Sequence, residues 1–152
     1  MNSQQNIRKD ALTEIMLSVF RVNARLLEKG DELVAPLGLT SAKWQILGAI
    51  AIAGKALTCP QVATTIGITR QGAQKQLNLA QKDELITALP NPHHLRSVLY
   101  ELTEAGMRCY ESAMAYQAPW AQALAQGMAV EDLATTLKVL DELHERLDTS
   151  AD

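Results

Sequence analysis

The sequence predicts a mainly α-helical domain with one small β-hairpin, and three observations within residues 58–106 predict it. Two helix-start signals, Thr58 and Thr69, are separated by a glycine that would end the first helix. Two short β-prone runs follow, divided by a loop that contains two prolines. A third helix-start signal comes directly after the second run. This order is typical of a winged helix-turn-helix, a mainly α fold with a small β-wing.

The first helix of this region begins at Thr58, which stands three residues before Gln61 with the spacing of a capping box. Its apolar stripe consists of Val62, Ala63 and Ile66. Gly67 would end the helix as a left-handed residue, and Thr69 would cap the next helix. So short a connection allows only a sharp corner between the two helices.

The second helix is predicted from Thr69 to about Lys82, with one apolar and one polar face. The residues that would face the core are Ala73, Leu77 and Ala80. The residues on the opposite side are Arg70, Gln71, Gln74, Lys75 and Asn78. These long donors and acceptors include no acid, and such side chains hydrogen-bond base edges and phosphates in a major groove. An isolated helix with this face would more often be merely solvated, but the helix before it and the hairpin after it favour DNA binding.

The wing is predicted from two β-prone runs, residues 85–89 and 98–102, on either side of the loop 90–96. The prolines and Asn91 within this loop would end either strand. Thr103 then provides a helix cap, and Glu104 is well placed for the positive end of the helix dipole.

Four further helices are predicted around this region, over residues 7–35, 41–53, 104–126 and 130–148, with a break near Gly127. The last of them has leucines every three or four residues, at Leu133, Leu137, Leu140, Leu143 and Leu147. Such a seam needs an apolar partner. The apolar faces at both ends of the chain exceed what one winged-helix module covers, so an intertwined homodimer is expected.

Composition is that of a globular protein, with 47% apolar and 20% charged residues, and with no run long enough to cross a bilayer. With no targeting signal at the N-terminus, a cytoplasmic location and no membrane partner are expected. The net charge of −3 is unevenly distributed. Residues 55–100 carry five basic and two acidic side chains, whereas the remainder carries nine basic and fifteen acidic ones. Positive charge is therefore concentrated in the segment expected to meet phosphate.

Catalytic chemistry finds no support, since the sequence contains no phosphate-binding loop, nucleophile elbow or His-Glu-x-x-His motif. The three histidines and two cysteines lack zinc-ligand spacing, so no metal, cofactor or enzymatic activity is expected. Both cysteines are interpreted as small core residues. Cys59 has a second interpretation, because a thiol just after a helix cap can have a lowered pKa and act as a redox sensor.

The chain resembles the MarR family of winged helix-turn-helix regulators. Five features carry the resemblance: Leu39-Thr40, Trp44-x-x-Leu47, Thr69-Arg70-Gln71, Leu85-Ile86 and Leu102-Thr103-x-x-Gly106. The chain departs from the family at Glu84, where a glycine is usual, and at Ala80, where a larger aliphatic residue is usual. The wing tip reads His94-Leu95-Arg96 instead of Asp-Arg-Arg, so only its last arginine is retained.

The resemblance implies a single domain over residues 1–152, with a DNA-binding lobe at 40–102 and dimerisation helices at 7–35 and 104–148. It implies a homodimeric regulator that binds double-stranded DNA, with repression relieved by a small aromatic or amphipathic molecule. The residues expected to contact DNA are Thr69, Arg70, Gln71, Gln74, Lys75, Asn78, His93, His94 and Arg96. The residues expected around a ligand are Met16, Phe20, Trp44, Met107 and Tyr110, although such side chains at helical spacing are more often plain core. The alternative function is a winged-helix protein-interaction module that does not bind DNA.

Overall fold

The computed structural model describes residues 3–149, and their fold is mainly helical with a small antiparallel sheet, as predicted. The helices are α1 (Ser3–Val34), α2 (Ser41–Ala53), α3 (Cys59–Ile66), α4 (Arg70–Lys82), α5 (Glu104–Ala125) and α6 (Val130–Thr149). The strands are β1 (Leu57–Thr58), β2 (Ile86–Leu89) and β3 (Leu99–Leu102). The fold class predicted from the sequence, a winged helix-turn-helix with flanking helices, is confirmed.

The corner between α3 and α4 has the predicted caps. The hydroxyl of Thr58 accepts from the backbone N–H of Gln61, and the Gln61 side chain accepts from the backbone N–H of Thr58, which completes the capping box. Gly67 ends α3 in the left-handed region, with φ of 71°. Thr69 caps α4 by accepting from the N–H of Gly72 at 3.0 Å. These local bonds fix the turn that sets the direction of α4.

The wing differs from the predicted two-stranded hairpin, because a third strand joins it. The strand order is β1-β3-β2, and Leu57 of β1 pairs with Tyr100 of β3. Strand β2 is one residue shorter than predicted at its start, since the N–H of Leu85 still bonds to the carbonyl of Ala80 in α4. Strand β3 begins at Leu99, one residue later than predicted. Two-residue β1 carries too little periodicity to be seen in the sequence.

Other element bounds differ from the predictions by a few residues. Helix α1 starts at Ser3, four residues before the predicted start, and ends at Val34, where a 3-10 turn over Ala35–Leu37 takes over. Pro36 lies in this turn, where its missing N–H is harmless. Helix α5 ends one residue earlier than predicted and α6 one residue later, and Gly127 lies between them with φ of 81°.

The hydrophobic core lies beneath the helix-turn-helix, where α2, α3, α4 and the sheet meet. Its largest fully buried side chains are Val34, Ile46, Leu47, Val62, Leu77 and Ile86. The predicted core face of α4 is confirmed, since Ala73, Leu77 and Ala80 are all fully buried.

The turn from α4 to β2 is built on a left-handed residue, at the position where the resemblance would place a glycine. Glu84 has φ of 59°, and it is the one non-glycine residue with positive φ in the described chain 3–149. A side chain costs about 1–2 kcal/mol in this region. The hydroxyl of Thr103 donates to the carbonyl of Glu84 at 2.7 Å and thereby holds the strained residue from outside.

The start of α5 is packed directly against this turn. The backbone N–H of Thr103 donates to the carbonyl of Leu85, and the Thr103 hydroxyl accepts from the N–H of Gly106. A Cβ added at Gly106 would overlap the Leu85 carbonyl oxygen. Glycine is therefore required here by close backbone approach, which explains the Leu-Thr-x-x-Gly feature in physical terms.

By internal contacts the chain divides into two compact units, one reaching to Gln117 and one starting at Ala118. In the first unit, α1 exposes many large apolar side chains, among them Phe20 at 72% and Ile7 at 66%. In the second unit, α6 has no buried residue, and Leu137 and Leu147 are about 60% exposed. The single-domain description of residues 1–152 remains a prediction. Within residues 3–149, no single helix has the length and apolar character to span a bilayer, and the pair 3–37 and 41–53 passes that test only when its two sharply angled helices are joined.

Candidate nucleic-acid interface

The polar face of α4 is presented to solvent as predicted. Arg70, Gln71, Lys75 and Asn78 are exposed, whereas Gln74 is half-buried. Helix α4 contains no acidic residue, so nothing on this face repels phosphate. Thr69 is also exposed at the amino end of the helix, where free N–H groups and the helix dipole favour anions. Its oxygen accepts the capping bond, which leaves its own proton available to a phosphate oxygen.

Gln74 differs from its neighbours because its side chain is held by two hydrogen bonds. Its Nε2 donates to Oδ1 of Asn78 at 2.9 Å and to the hydroxyl oxygen of Tyr100 at 3.0 Å. Tyr100 belongs to β3 and is only 5% exposed. A side-chain bridge therefore links α4 to β3, the central strand of the sheet.

The wing loop, residues 90–98, presents the remaining predicted DNA contacts. Its side chains at His93, His94 and Arg96 are exposed, and Leu95 is the most exposed large apolar residue described, at 95%. Asn91 organises the loop from below, since this side chain is 8% exposed and its Oδ1 accepts from the N–H of His93 at 3.1 Å. The sequence predicted Asn91 as a turn residue, and the structure adds this buried supporting role.

Between α4 and the wing lies a cleft of about 410 Å³, which we call the wing cleft. Arg70, Gln71 and Gln74 line it from α4, and Arg96 and Tyr100 line it from the wing. Two guanidinium groups thus border one opening, and no acidic residue lines it. Guanidinium groups bind phosphate oxygens through paired hydrogen bonds, so this cleft is suited to a backbone phosphate.

Cys59 also lines the wing cleft, but its chemistry differs from the redox interpretation. Burial raises the pKa of the Cys59 thiol, and the nearby Arg70 guanidinium lowers it by a smaller amount. The thiol lies 3.4 Å from the carbonyl oxygen of Arg70. The expectation of a lowered pKa is therefore wrong, because the desolvation of the thiol outweighs the effect of the arginine. Burial likewise raises the pKa of Cys109, against a smaller lowering by Lys43.

The five residues expected around a ligand are only partly brought together. Trp44 and Tyr110 line one apolar cavity of about 490 Å³ between α2, α3 and α5, together with Ile52, Ile66 and Met114. Met16 and Phe20 lie exposed on α1, and Met107 lies exposed on α5; none of the three lines this cavity. Among residues 3–149, no group of three or more histidines, cysteines or acids is arranged to hold a metal ion.

Tyr100 is the interface residue that the sequence did not reveal. Its place in the run Val98–Leu102 predicts a strand, but the strand pattern does not show that its hydroxyl reaches α4. The two residues are 26 positions apart in the sequence, so the contact depends on the tertiary structure that brings β3 close to α4. A tyrosine buried in a wing strand is itself a signal, because a buried hydroxyl nearly always has a partner.

Comparison with known proteins gives the family. The MarR family model matches residues 37–97. An uncharacterised protein of Mycobacterium tuberculosis is 35% identical over 103 residues, which is 68% of this chain and 71% of that protein, and a protein of Mycobacterium bovis matches equally well.

Solved structures share the fold across nearly the whole chain. A MarR family transcription regulator has a TM-score of 0.77 at 21% identity, covering 96% of each chain. An Escherichia coli MarR variant in complex with operator DNA has a TM-score of 0.76 at 21% identity, covering 88% of this chain and 96% of that one. Staphylococcus aureus MarR, in complex with salicylate and kanamycin, has a TM-score of 0.75 at 20% identity, covering 91% and 93%. These structures share the fold, and the family model over residues 37–97 together with the 35% identical relative identifies the chain as a member of the MarR family.

Proposed function

We propose that this protein is a homodimeric, sequence-specific DNA-binding transcriptional regulator that represses its target and is released by a small molecule. The observation that carries the proposal is the exposed, acid-free polar face of α4, which is bordered by the exposed Arg96 of the wing. The E. coli relative in complex with operator DNA supports the same use of this fold. Since its partner is DNA, the protein would act in the cytoplasm.

Each side chain of the proposed interface has a role that follows from its chemistry. Arg70 and Lys75 neutralise phosphates or reach guanine, while Gln71, Gln74 and Asn78 contact base edges in the major groove. Thr69 holds a phosphate at the start of α4. His93, His94 and Arg96 extend the interface from the wing towards the backbone or minor groove.

The homodimer is supported by the apolar surface that residues 3–149 leave exposed. Side chains on α1 such as Phe20, and on α6 such as Leu137, are more exposed than monomeric surfaces usually tolerate in clusters. A second copy would cover them by a two-fold interface formed by residues 7–35 and 104–148. The same interface would place two copies of α4 for successive major grooves.

A small-molecule effector is supported by the apolar cavity beside Trp44 and Tyr110. Its lining is mostly apolar, with Gln45 and Thr65 as polar groups, which suits an aromatic or amphipathic molecule. The S. aureus relative was found in complex with salicylate. Met16, Phe20 and Met107 would join such a site only if the partner subunit or a rearrangement brings them to it.

The test is a selection of bound fragments from random or genomic DNA, followed by affinity measurements at several salt concentrations. Lys75→Ala should weaken binding to all fragments and lower the slope of log affinity against log salt by about one. Gln71→Ala should instead weaken preference at one base position, by about 1–3 kcal/mol. Lys138→Ala on α6 is the control, since it removes the same charge far along the chain from α4.

Two results would contradict the proposal. One is the absence of any salt-sensitive complex between the purified protein and selected duplexes. The other is a complex that the Lys75→Ala and Gln71→Ala variants form as well as the parent. Either result would favour the alternative function, a winged-helix module that binds another protein.

A further inference from the structure

The bridge from Tyr100 to Gln74 restricts what Gln74 can offer to a base. The amide nitrogen of a glutamine carries two hydrogens, and in this structure the same nitrogen makes two hydrogen bonds. One goes to Asn78, a helical turn further along α4, and the other goes to the buried hydroxyl of Tyr100. The carbonyl oxygen Oε1 of Gln74 is therefore the only group of this amide left for DNA.

An unrestrained glutamine recognises adenine through two bonds, accepting from N6 and donating to N7. Gln74 has its donors engaged and makes only the first of these bonds. In the major groove, exocyclic amino groups are carried by adenine at N6 and by cytosine at N4, whereas guanine and thymine present acceptors. An acceptor-only Gln74 thus favours adenine or cytosine over guanine and thymine.

The same hydrogen bond leaves Asn78 with a donor, and not an acceptor, to offer to a base. Its Oδ1 accepts from Gln74, so its Nδ2 group, which is exposed on the face of α4, is available as a donor. Donors suit the acceptors of guanine, thymine or adenine N7. Two amides that would look alike in the sequence are therefore assigned opposite roles, one as acceptor and one as donor.

We infer that Tyr100 is a positioning residue for DNA specificity, which holds Gln74 as an acceptor for the amino group of adenine or cytosine and Asn78 as a donor. The inference rests on the proposed function, because it concerns which bases the interface accepts. Tyr100 acts through Gln74 from within the sheet, and its ring is part of the core.

The direct test is Tyr100→Phe, which removes the hydroxyl and leaves the ring in place. Base preferences of the parent and variant proteins are measured by selection from a random duplex library and by affinities for the four bases at each position. The position that loses preference in Gln74→Ala is the one contacted by Gln74. At that position the parent should bind adenine and cytosine duplexes within about threefold of each other, and guanine and thymine duplexes about tenfold more weakly.

In Tyr100→Phe, one amide hydrogen of Gln74 is freed, and bidentate recognition of adenine becomes possible. Adenine should then be preferred to cytosine by about tenfold at this position, with other positions unchanged. Asn78→Ala frees the other hydrogen from the surface without touching the core, so it should shift the same position in the same direction. Tyr116→Phe, which removes an exposed hydroxyl on α5, is the matched control and should leave the profile unchanged.

The outcomes separate this inference from the proposed function. If neither the parent nor any variant binds selected DNA, the proposed function fails. If the parent binds but prefers guanine or thymine at the Gln74 position, Gln74 acts as a donor and the inference is overturned. A parent profile that Tyr100→Phe and Asn78→Ala both leave unchanged at this position, or weaken equally for all four bases, overturns it as well.

Discussion

Lys43 of α2 forms an ion pair with Asp83 at the carboxyl end of α4, with Nζ and Oδ2 2.6 Å apart. The Lys43 side chain is only 15% exposed, whereas that of Asp83 is 43% exposed. Lys43 also lies 3.4 Å from the carbonyl oxygen of Gly38. Helix α2 therefore holds the carboxyl end of α4 through Asp83, which lies 40 residues after Lys43 in the chain and directly before the strained Glu84.

This pair should stabilise the lobe modestly. In a double-mutant cycle of Lys43→Met and Asp83→Asn, we expect a coupling of about 0.5–1 kcal/mol, because one partner is shielded and the other remains in water. The free energies of unfolding, measured by denaturant titration, should show the coupling shrink as salt is added. Lys29 and Glu32, an exposed pair on α1, give the control cycle, which should yield a smaller value. Equal couplings would show that the shielding of Lys43 contributes nothing.

Replacement of Glu84 by glycine should increase the free energy of unfolding. Glu84→Gly removes a cost of about 1–2 kcal/mol for a left-handed side chain, and it adds a smaller cost from the freer unfolded chain. The net expectation is a rise of about 0.5–1 kcal/mol in the free energy of unfolding. Gln81→Gly, in helical backbone three residues earlier, should instead lower it by about 1 kcal/mol. A loss of stability in Glu84→Gly would mean that the Glu84 side chain makes a compensating contact.

The dimer should depend on the exposed leucines of α6. Leu137 and Leu147 are 61% and 60% exposed in the single chain, so aspartate at both positions costs the isolated subunit little. In a dimer that buries them, the two charges would be unpaired, at several kcal/mol per subunit. We expect Leu137→Asp with Leu147→Asp to sediment as a folded monomer and to lose DNA affinity. Glu131→Gln with Lys138→Gln, a change of polar residues on the same helix, should remain dimeric. A double-aspartate variant that still sediments as a dimer would rule out this interface.

The wing loop should contribute to DNA binding through Arg96. This side chain is exposed in the loop and also borders the wing cleft. We expect Arg96→Ala to weaken binding to every duplex and to lower the slope of log affinity against log salt by about one, because one phosphate contact is lost. Equal affinity and equal salt dependence in the parent and the variant would mean that the wing does not contact the DNA backbone.

The two partly buried thiols should be slow nucleophiles near neutral pH. Burial raises the pKa of both Cys59 and Cys109, so less thiolate is present than in a solvated cysteine. Alkylation by iodoacetamide should be slower than in the unfolded chain at pH 8 and should accelerate as the pH rises. Since the unfolded thiols ionise first, stability should fall as the pH rises through their ordinary pKa. Folded protein that reacts as fast as unfolded protein would contradict the raised pKa values.

Most of the fold could be predicted from signals that act between residues close together in the sequence. Caps at Thr58 and Thr69, and the left-handed Gly67, act within a few residues of each other, so the sequence displays them directly. The spacing of apolar residues along α4 predicted its buried and exposed faces correctly, because a helix has a period of 3.6 residues and the cap at Thr69 fixes where this helix begins. The departure at Glu84 was apparent only from the resemblance to the MarR family, in which glycine is usual, and the structure shows φ of 59° at this position.

Contacts between residues far apart in the sequence could not be predicted, because no local pattern of residues encodes them. Pairing of β1 with β3 joins residues more than 40 positions apart through two residues of strand, too few to show a period. The bond from Gln74 to Tyr100 depends on the packing of a sheet against a helix, and the pKa of Cys59 depends on burial by the same packing. The residues proposed around a ligand lie on α1, α2 and α5, so their grouping depends on the arrangement of whole helices.

Thr103 has a mechanical consequence for regulation. Its hydroxyl and N–H bind the carbonyls of Glu84 and Leu85, and its oxygen caps α5 through Gly106. The hydrogen bonds of Thr103 thus connect the end of α4, the start of the wing and the first turn of α5 at one residue. If α5 rotates, α4 and the wing should therefore rotate with it as one rigid unit. In the proposed dimer, a change in the spacing of the two rigid units would weaken DNA binding, and each unit would keep its base preference.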